Sequence, residues 1–303
     1  MQNDKLKSYL HLHLIVFIWG FTAILGKLLT IDAVALVWYR MGIASVLIFG
    51  YIKYKRMSLH ISRNQIIKYV FGGVVIALHW TTFFYAIKIS NISIALATMS
   101  TGAFFTIFIE ALYKKKKVDV QELIFGVLAI VGLYIIYQAE ISLQLGMFVA
   151  LLSSFLSAVF SVFNADFVKE ESAIIISFYE IVFGVAAVTI YLLYNGELLT
   201  EGFFILQPLD YLWLFILSSI CTAYAFIVSV DLLKKLSAFT VMLTINLEPI
   251  YAIFLAVILF PNNEKMSSSF YLGAGLILLT VVINGILKTT SRNKRKSVNL
   301  DNH

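Results

Sequence analysis

Long apolar runs follow one another along almost the whole chain, separated by short polar segments. Each run is close to the ~20 residues that a helix needs to cross a bilayer. The runs lie at 10–29, 33–52, 66–87, 92–112, 121–137, 145–167, 173–194, 209–232, 237–260 and 270–287. This pattern predicts an all-α integral membrane protein with ten transmembrane helices, numbered helix 1 to helix 10 in chain order.

The composition excludes a water-soluble protein. Of the 303 residues, 13% are charged and 60% are hydrophobic, and the mean hydropathy is +0.90, whereas soluble domains carry roughly 25% charged residues. Ten spans also leave no room for a separate soluble domain. The only cysteine, Cys221, lies in an apolar run, so neither a disulfide framework nor a CxxC metal site can form. We therefore predict no cofactor and no metal.

The distribution of lysine and arginine predicts the topology. If the helices alternate in direction, 19 of these residues lie on the side of both termini and only Lys27, Lys88 and Lys265 lie on the opposite side. Cationic short loops stay in the cytoplasm, so both termini are predicted to be cytoplasmic and the membrane to be the inner (plasma) membrane. The basic clusters Lys114–Lys117 and Arg292–Lys296 are assigned to topology and lipid headgroups rather than to nucleic acid.

A weak internal repeat relates the two halves of the chain. One alignment places Gly102-Ala103 of helix 4 on Glu248-Pro249 of helix 9, and another places Arg40 of helix 2 on Glu180 of helix 7. Five helices per half is an odd number, so the second half must enter the membrane with the opposite orientation, which is typical of secondary transporters. The predicted units are a first five-helix repeat (1–140), a second five-helix repeat (141–290) and a cytoplasmic tail (291–303).

Several short motifs in these helices resemble one known family. They are Trp19-Gly20-x6-Lys27 in helix 1, Arg40 in helix 2, Ala86-Ile-Lys88-x2-Asn91-x-Ser93 leading into helix 4, and Leu247-Glu248-Pro249 in helix 9. Together they resemble the EamA family of the drug/metabolite transporter superfamily. The resemblance covers both repeats and implies a ten-helix transporter with cytoplasmic termini. The chain departs from the family at Ala103, where many members have proline. The sequence therefore does not decide whether helix 4 is broken there, although Gly102 weakens a helix.

Arg40 and Glu180 are charges inside predicted spans, where each costs roughly 2.5–3.5 kcal/mol at the centre of a helix. Counted from the predicted helix ends, each lies ~12 Å deep, so their depths differ by only ~6 Å. Two interpretations stay open. The two side chains form a fixed structural ion pair, or one or both contact a charged substrate or carry a proton.

Helix 9 is predicted to bend at Glu248-Pro249, near the midplane, because proline removes a backbone donor and clashes with the preceding turn. Thr244 and Glu248 lie on one polar stripe there. This stripe is either part of a substrate or proton site or a proline kink whose polar groups are satisfied locally.

The other candidate pathway residues are weaker. His79 in helix 3 either relays protons or bonds a neighbouring helix as a neutral ring. The aromatic residues Trp19, Trp80 and Tyr224 either line a substrate pocket or pack against neighbouring helices. Thr101 faces the repeat counterpart of Glu248-Pro249.

Three functional classes compete. The first is a secondary transporter that exports a small polar metabolite, such as an amino acid, by alternating access, with or without proton coupling. An intramembrane enzyme is disfavoured because GxSxG, HExxH and paired intramembrane aspartates are absent from the sequence. The third class is a structural or sensory membrane subunit with the same fold. The expected partners are a small-molecule substrate, membrane lipids and, in the coupled case, protons; the oligomeric state is left open.

Overall fold

The computed structural model describes the backbone of residues 2–115, 117–118 and 120–300, and the side chains of the same ranges except 2–5, 122, 285 and 288–300. It is helical, and these residues form no strand. The α-helices are α1 (Gln2–Leu28), α2 (Ala33–Tyr54), α3 (Arg63–Ile89), α4 (Ile92–Met99), α5 (Gly102–Tyr113), α6 (Val120–Ala139), α7 (Gln144–Phe167), α8 (Ala173–Tyr194), α9 (Pro208–Ser218), α10 (Ala225–Leu232), α11 (Ala238–Ile245), α12 (Glu248–Leu259), α13 (Pro261–Glu264) and α14 (Ser268–Leu300). A π-helical turn, Ser219–Tyr224, joins α9 to α10.

The described part of the chain contains eight segments that are long and apolar enough to cross a membrane, and they coincide with predicted helices 1–4 and 6–9. Predicted helices 5 and 10 are present as shorter apolar stretches, Leu123–Ala139 and Ser268–Asn284. The protein is thus a multi-pass membrane protein, while the count of ten spans and the side of the termini stay predictions. Helix α14 continues to Leu300, so most of the predicted tail is helical; residues 301–303 lie outside the described residues.

The lengths of the helices reproduce the repeat. Both α2 and α8 have 22 residues, both α4 and α11 have 8, and both α5 and α12 have 12. Gly102-Ala103 begins α5 just as Glu248-Pro249 begins α12. Predicted helices 4 and 9 are therefore both broken, and the break that the sequence left open at Ala103 is present.

The first-repeat break forms without proline, and hydroxyl groups add to the backbone hydrogen bonds at this turn. Ser100 Oγ donates to the Leu96 carbonyl (3.2 Å) and Thr101 Oγ1 donates to the Thr98 carbonyl (2.8 Å). Such local bonds compete with the regular helix. The carbonyl of Met99 accepts from Ser154 Oγ of α7 at 3.0 Å. The broken turn is thus stabilised both from within and from a neighbouring helix.

Helices α2 and α8 are antiparallel. Trp38 near the start of α2 donates to Thr189 near the end of α8 (2.9 Å), and Phe49 near the end of α2 stacks on Phe178 near the start of α8, with ring centroids 5.9 Å apart. The main core cluster joins α1–α4 to α7–α12, and α6 packs with α14 beside it.

Glycines let α3 and α8 approach closely, as small residues do in membrane helices. A Cβ on Gly73 would lie 2.5 Å from the Glu180 carbonyl oxygen and 2.9 Å from the Gly184 nitrogen. Both are backbone atoms of α8, so the added methyl group can be accommodated only by separating the two helices.

We expect Gly73→Ala to destabilise the protein by about 1–3 kcal/mol through overpacking. The matched control is Gly42→Ala, because a Cβ at Gly42 meets nothing within 4 Å and alanine is the better helix former by about 0.5–1 kcal/mol. Thermal unfolding of the purified variants in detergent measures both. An unfolding temperature for Gly73→Ala at or above that of the wild type would contradict the close helix contact.

Candidate functional site

Arg40 lies on α2 with only 2% of its surface exposed. Its guanidinium carbon is 3.9 Å from the centre of the Trp80 ring on α3, within the range of a cation–π interaction. Its Nε donates to Thr222 Oγ1 at 2.6 Å, and its Nη2 donates to the Cys221 carbonyl at 3.5 Å. No carboxylate of the described residues forms an ion pair with Arg40, so the cation is held by neutral groups alone.

The π-helical turn supplies these neutral partners. The wider turn leaves backbone carbonyls without the usual intrahelical donor, and such turns often occur at functional sites. The Cys221 carbonyl accepts from Trp19 Nε1 of α1 (3.1 Å) as well as from Arg40. Thr222 Oγ1 donates to the Leu217 carbonyl (2.7 Å), which orients the lone pairs of Thr222 toward Arg40. The turn therefore connects α1, α2 and α9–α10.

Glu248 is half-buried at the start of α12. Its carboxylate and the Arg40 guanidinium are close enough to interact electrostatically, yet they form no ion pair. Gly20 allows α1 to approach this point, since a Cβ there would lie 3.3 Å from the Tyr251 Cβ and 3.8 Å from the Glu248 carbonyl oxygen. A cation and a carboxylate thus face one region beside the broken helix.

The structure does not form the pair considered between Arg40 and Glu180. Each residue lies seven positions from the start of its helix, and α2 and α8 are antiparallel helices of 22 residues, so along the axis they are about 10.5 Å apart rather than ~6 Å. The Glu180 carboxylate, which is fully buried, accepts instead from Asn164 Nδ2 of α7 at 2.9 Å. The two charges have separate surroundings.

The remaining candidates contact a neighbouring helix, bond within their own helix or are exposed. His79 bonds α7, with its Nδ1 2.9 Å from both the carbonyl and the hydroxyl oxygen of Ser153. Thr101 is buried and lies 3.2 Å from Ser154 Oγ. Thr244 Oγ1 donates within its own helix to Thr240, 2.9 Å away. Tyr224 ends the π-helical turn with an exposed side chain. It does not belong to the Arg40 cluster, which consists of Arg40 and its contacts Trp80, Cys221 and Thr222.

A cavity of about 470 Å³ opens at the predicted cytoplasmic end. It lies where α1 and α8 begin and α10 ends. Its walls include Lys7, His11, Ser172, Ala173, Asp231 and Lys235.

The predicted outer end is held by two buried carboxylates. Glu264 accepts from the backbone of Ile92 (3.0 Å) and from the backbone and hydroxyl of Ser93 (both 2.9 Å), and Lys27 Nζ is 3.7 Å away. Asp210 accepts from the backbone (3.0 Å) and hydroxyl (2.5 Å) of Thr30. Each carboxylate joins one repeat to the other.

Four of these positions were not predicted from the sequence: Asn164, Asp210, Thr222 and Glu264. The amide of Asn164 inside an apolar run was a usable signal, because buried polar groups in a span need partners. The other three lie at helix ends or in a turn whose contacts come from distant parts of the chain. Among the described residues, no three His, Cys, Asp or Glu side chains are grouped to hold a metal ion.

Comparison with known proteins agrees with the fold and the repeat. The model of a family described as the EamA-like transporter family matches residues 6–138 and 144–286, one match in each half. A solved structure titled only "Crystal structure of protein" matches with a TM-score of 0.66 and 13% sequence identity, covering 93% of this chain and 98% of that chain. At that identity the likeness shows the fold alone. No curated protein matches the chain.

Proposed function

Since the chain belongs to the EamA-like transporter family, we propose that it is a secondary transporter that exports a small polar metabolite by alternating access. The substrate class that we propose is an amino acid or a related compound. The proposed location is the inner (plasma) membrane, in contact with its lipids, and the proposed coupling ion is the proton.

The observation that carries the substrate class is the region between Arg40 and Glu248. Arg40 has neutral hydrogen-bond partners only, and Glu248 lies within electrostatic range of it without forming an ion pair. A guanidinium binds a carboxylate through charge-assisted hydrogen bonds, and a carboxylate binds an ammonium group. A zwitterion with these two groups at one end would bind Arg40 and Glu248 together, and Trp19 and Trp80 offer apolar ring surface for the remainder of the molecule.

Alternating access is supported by the difference between the two ends. Buried carboxylates join the repeats at the predicted outer end, whereas a cavity opens at the predicted cytoplasmic end. An exporter loads its substrate in such a conformation. The paired breaks at α4–α5 and α11–α12 lie at related positions of the two repeats, and discontinuous helices at such positions are typical of inverted-repeat transporters.

The test is flux in liposomes that contain the purified protein. The liposomes are loaded with radiolabelled amino acids one at a time, and efflux is measured with and without a pH gradient. We expect at least one amino acid to leave faster than from protein-free liposomes. Absence of flux for all of them, with a folded protein, would contradict the proposed function.

A non-transporting structural or sensory subunit is the second candidate. The observation that favours it is the deep burial of Arg40 and its contact with Trp80, which a static core also permits. In that case no amino acid would shift the unfolding temperature of the purified protein.

A further inference from the structure

Two adjacent polar groups in the second repeat each have an atom with no partner. Asn164 Nδ2 donates to Glu180 Oε1 at 2.9 Å. The other oxygen of Glu180, Oε2, and the amide oxygen of Asn164, Oδ1, are buried and have no hydrogen-bond partner. Such atoms are uncommon in native proteins, because each costs about 1–3 kcal/mol.

One proton satisfies both atoms. An ionised carboxylate only accepts hydrogen bonds, whereas a protonated one also has a donor. If the proton is on Oε2, the carboxylic acid donates to Asn164 Oδ1 while its other oxygen keeps the bond from Asn164 Nδ2. The two groups then form the cyclic, doubly hydrogen-bonded pair of a carboxylic acid and an amide.

The surroundings of Glu180 provide no counter-ion for the charged form. The titratable residues on the elements next to α8 include Arg40, Lys68, Tyr69, His79, Asp166 and Asp231. Arg40 bonds Thr222, Lys68 pairs with Glu170, and His79 bonds Ser153. Asp166 and Asp231 pair with Lys169 and Lys234. Tyr69 accepts a hydrogen bond from Gln65 Nε2 at 3.5 Å. A carboxylate that is 0% exposed and lacks a cation is costly to ionise.

A stripe of buried residues leads from Glu180 toward the predicted cytoplasmic end. Ala173, Ser177 and Glu180 lie at helical spacing on one face of α8, and all three are buried. Ala173 lines the 470 Å³ cavity, and the hydroxyl of Ser177 has no hydrogen-bond partner. The Ser177 side chain therefore lies along α8 between the wall of the cavity and the carboxyl group, about one turn from each.

We propose that Glu180, paired with Asn164, is the residue that binds the coupled proton, and that it exchanges this proton with water in the cytoplasmic cavity past Ser177. On loading, hydronium transfers a proton to the carboxylate and becomes water; on release, water accepts the proton from the acid. The coupling role rests on the proposed transport function, whereas the proton site does not. Closure of the cavity over Ser177 would separate the carboxyl group from cytoplasmic water between exchanges.

The first test is infrared spectroscopy of the purified protein in lipid at neutral pH, with no solute added. Glu180→Gln is the decisive variant, because a glutamine amide can form both hydrogen bonds with Asn164 but cannot bind the proton. We expect the carbonyl band of one protonated carboxyl group to be lost in this variant. The control Glu201→Gln, which removes an exposed carboxylate, is expected to keep the band. Identical carboxyl bands in wild type and Glu180→Gln would overturn the proposal.

Asn164→Leu tests the pair if Glu180→Gln does not fold. The acid should then lose both hydrogen bonds, so its carbonyl band is expected to remain and to move to a higher frequency. A band at the wild-type frequency would overturn the pairing with Asn164.

The coupling is tested with whichever amino acid moves in the liposome experiment. We expect the pH gradient to accelerate flux through the wild type and Glu201→Gln, and to leave flux through Glu180→Gln unchanged. Acceleration of Glu180→Gln flux would overturn the coupling role. Absence of all flux in the wild type would contradict the proposed function and its coupling, while the infrared result would still decide the proton site, so the two failures are distinct.

Discussion

Replacement of Arg40 by leucine is expected to reduce amino-acid flux roughly 100-fold or more, while the unfolding temperature stays the same or rises. The guanidinium is the proposed ligand of the substrate carboxylate, and two hydrogen bonds to a charged group are worth about 3 kcal/mol or more. The free energy of unfolding is expected to fall little, because loss of Arg40 leaves no buried carboxylate without its ionic partner and leucine removes a buried charge. Liposome flux and thermal unfolding measure the two effects separately.

Two further variants distinguish substrate binding from a general loss of charge. Arg40→Lys keeps the charge but loses the planar fork, so flux is expected to fall at least about 10-fold. Arg63→Leu removes an exposed arginine from the start of α3 and is expected to transport as the wild type does. Normal flux through Arg40→Leu would contradict the proposed binding site, and a large loss of stability would indicate a structural role.

Eight of the spans could be predicted from the sequence because bilayer thickness fixes the length of each apolar run, and the repeat could be predicted because the two halves align. The position of the second-repeat break was also predictable, since Pro249 cannot donate a backbone hydrogen bond. The first-repeat break was not, because Ala103 carries no such signal. It depends on Ser100, Thr101 and a hydroxyl from α7, and only the folded chain brings α7 to that turn.

The relation between Arg40 and Glu180 shows why depth alone does not predict partners. Sequence counting placed both residues near the midplane, where long side chains on neighbouring helices could meet. The structure places them toward opposite ends of antiparallel helices, and each finds a neutral partner on a different helix. Those partners depend on helix packing and on a π-helical turn, neither of which apolar periodicity reveals.

Removal of the Glu264 carboxylate is expected to open the predicted outer end. In Glu264→Ala, the backbone donors of Ile92 and Ser93 at the start of α4 lose their acceptor and Lys27 loses its ionic partner. Loss of one member of a buried, hydrogen-bonded charge pair costs about 3–5 kcal/mol. If this cost falls on the closed conformation alone, the population of the opposite conformation rises more than about 100-fold.

Opening of the outer end can be measured as the labelling rate of Cys221, so no additional cysteine has to be introduced. It is the only cysteine in the chain, it is 2% exposed, and its carbonyl lies in the Arg40 cluster. A water-soluble maleimide should label it slowly in the wild type in detergent, and about 10-fold faster or more in Glu264→Ala. The change is expected because opening of the outer end admits water to the region between α1, α4 and the π-helical turn.

The matched control is Glu140→Gln. Glu140 is also a carboxylate at the predicted outer end, but it bonds Ser267 and so connects α6 to α14 rather than acting on α4. We expect Glu140→Gln to leave the labelling rate unchanged, and Glu264→Gln, which keeps one acceptor oxygen, to give an intermediate rate. If folded Glu264→Ala is labelled no faster than the wild type, this carboxylate does not hold the outer end closed and only caps a helix.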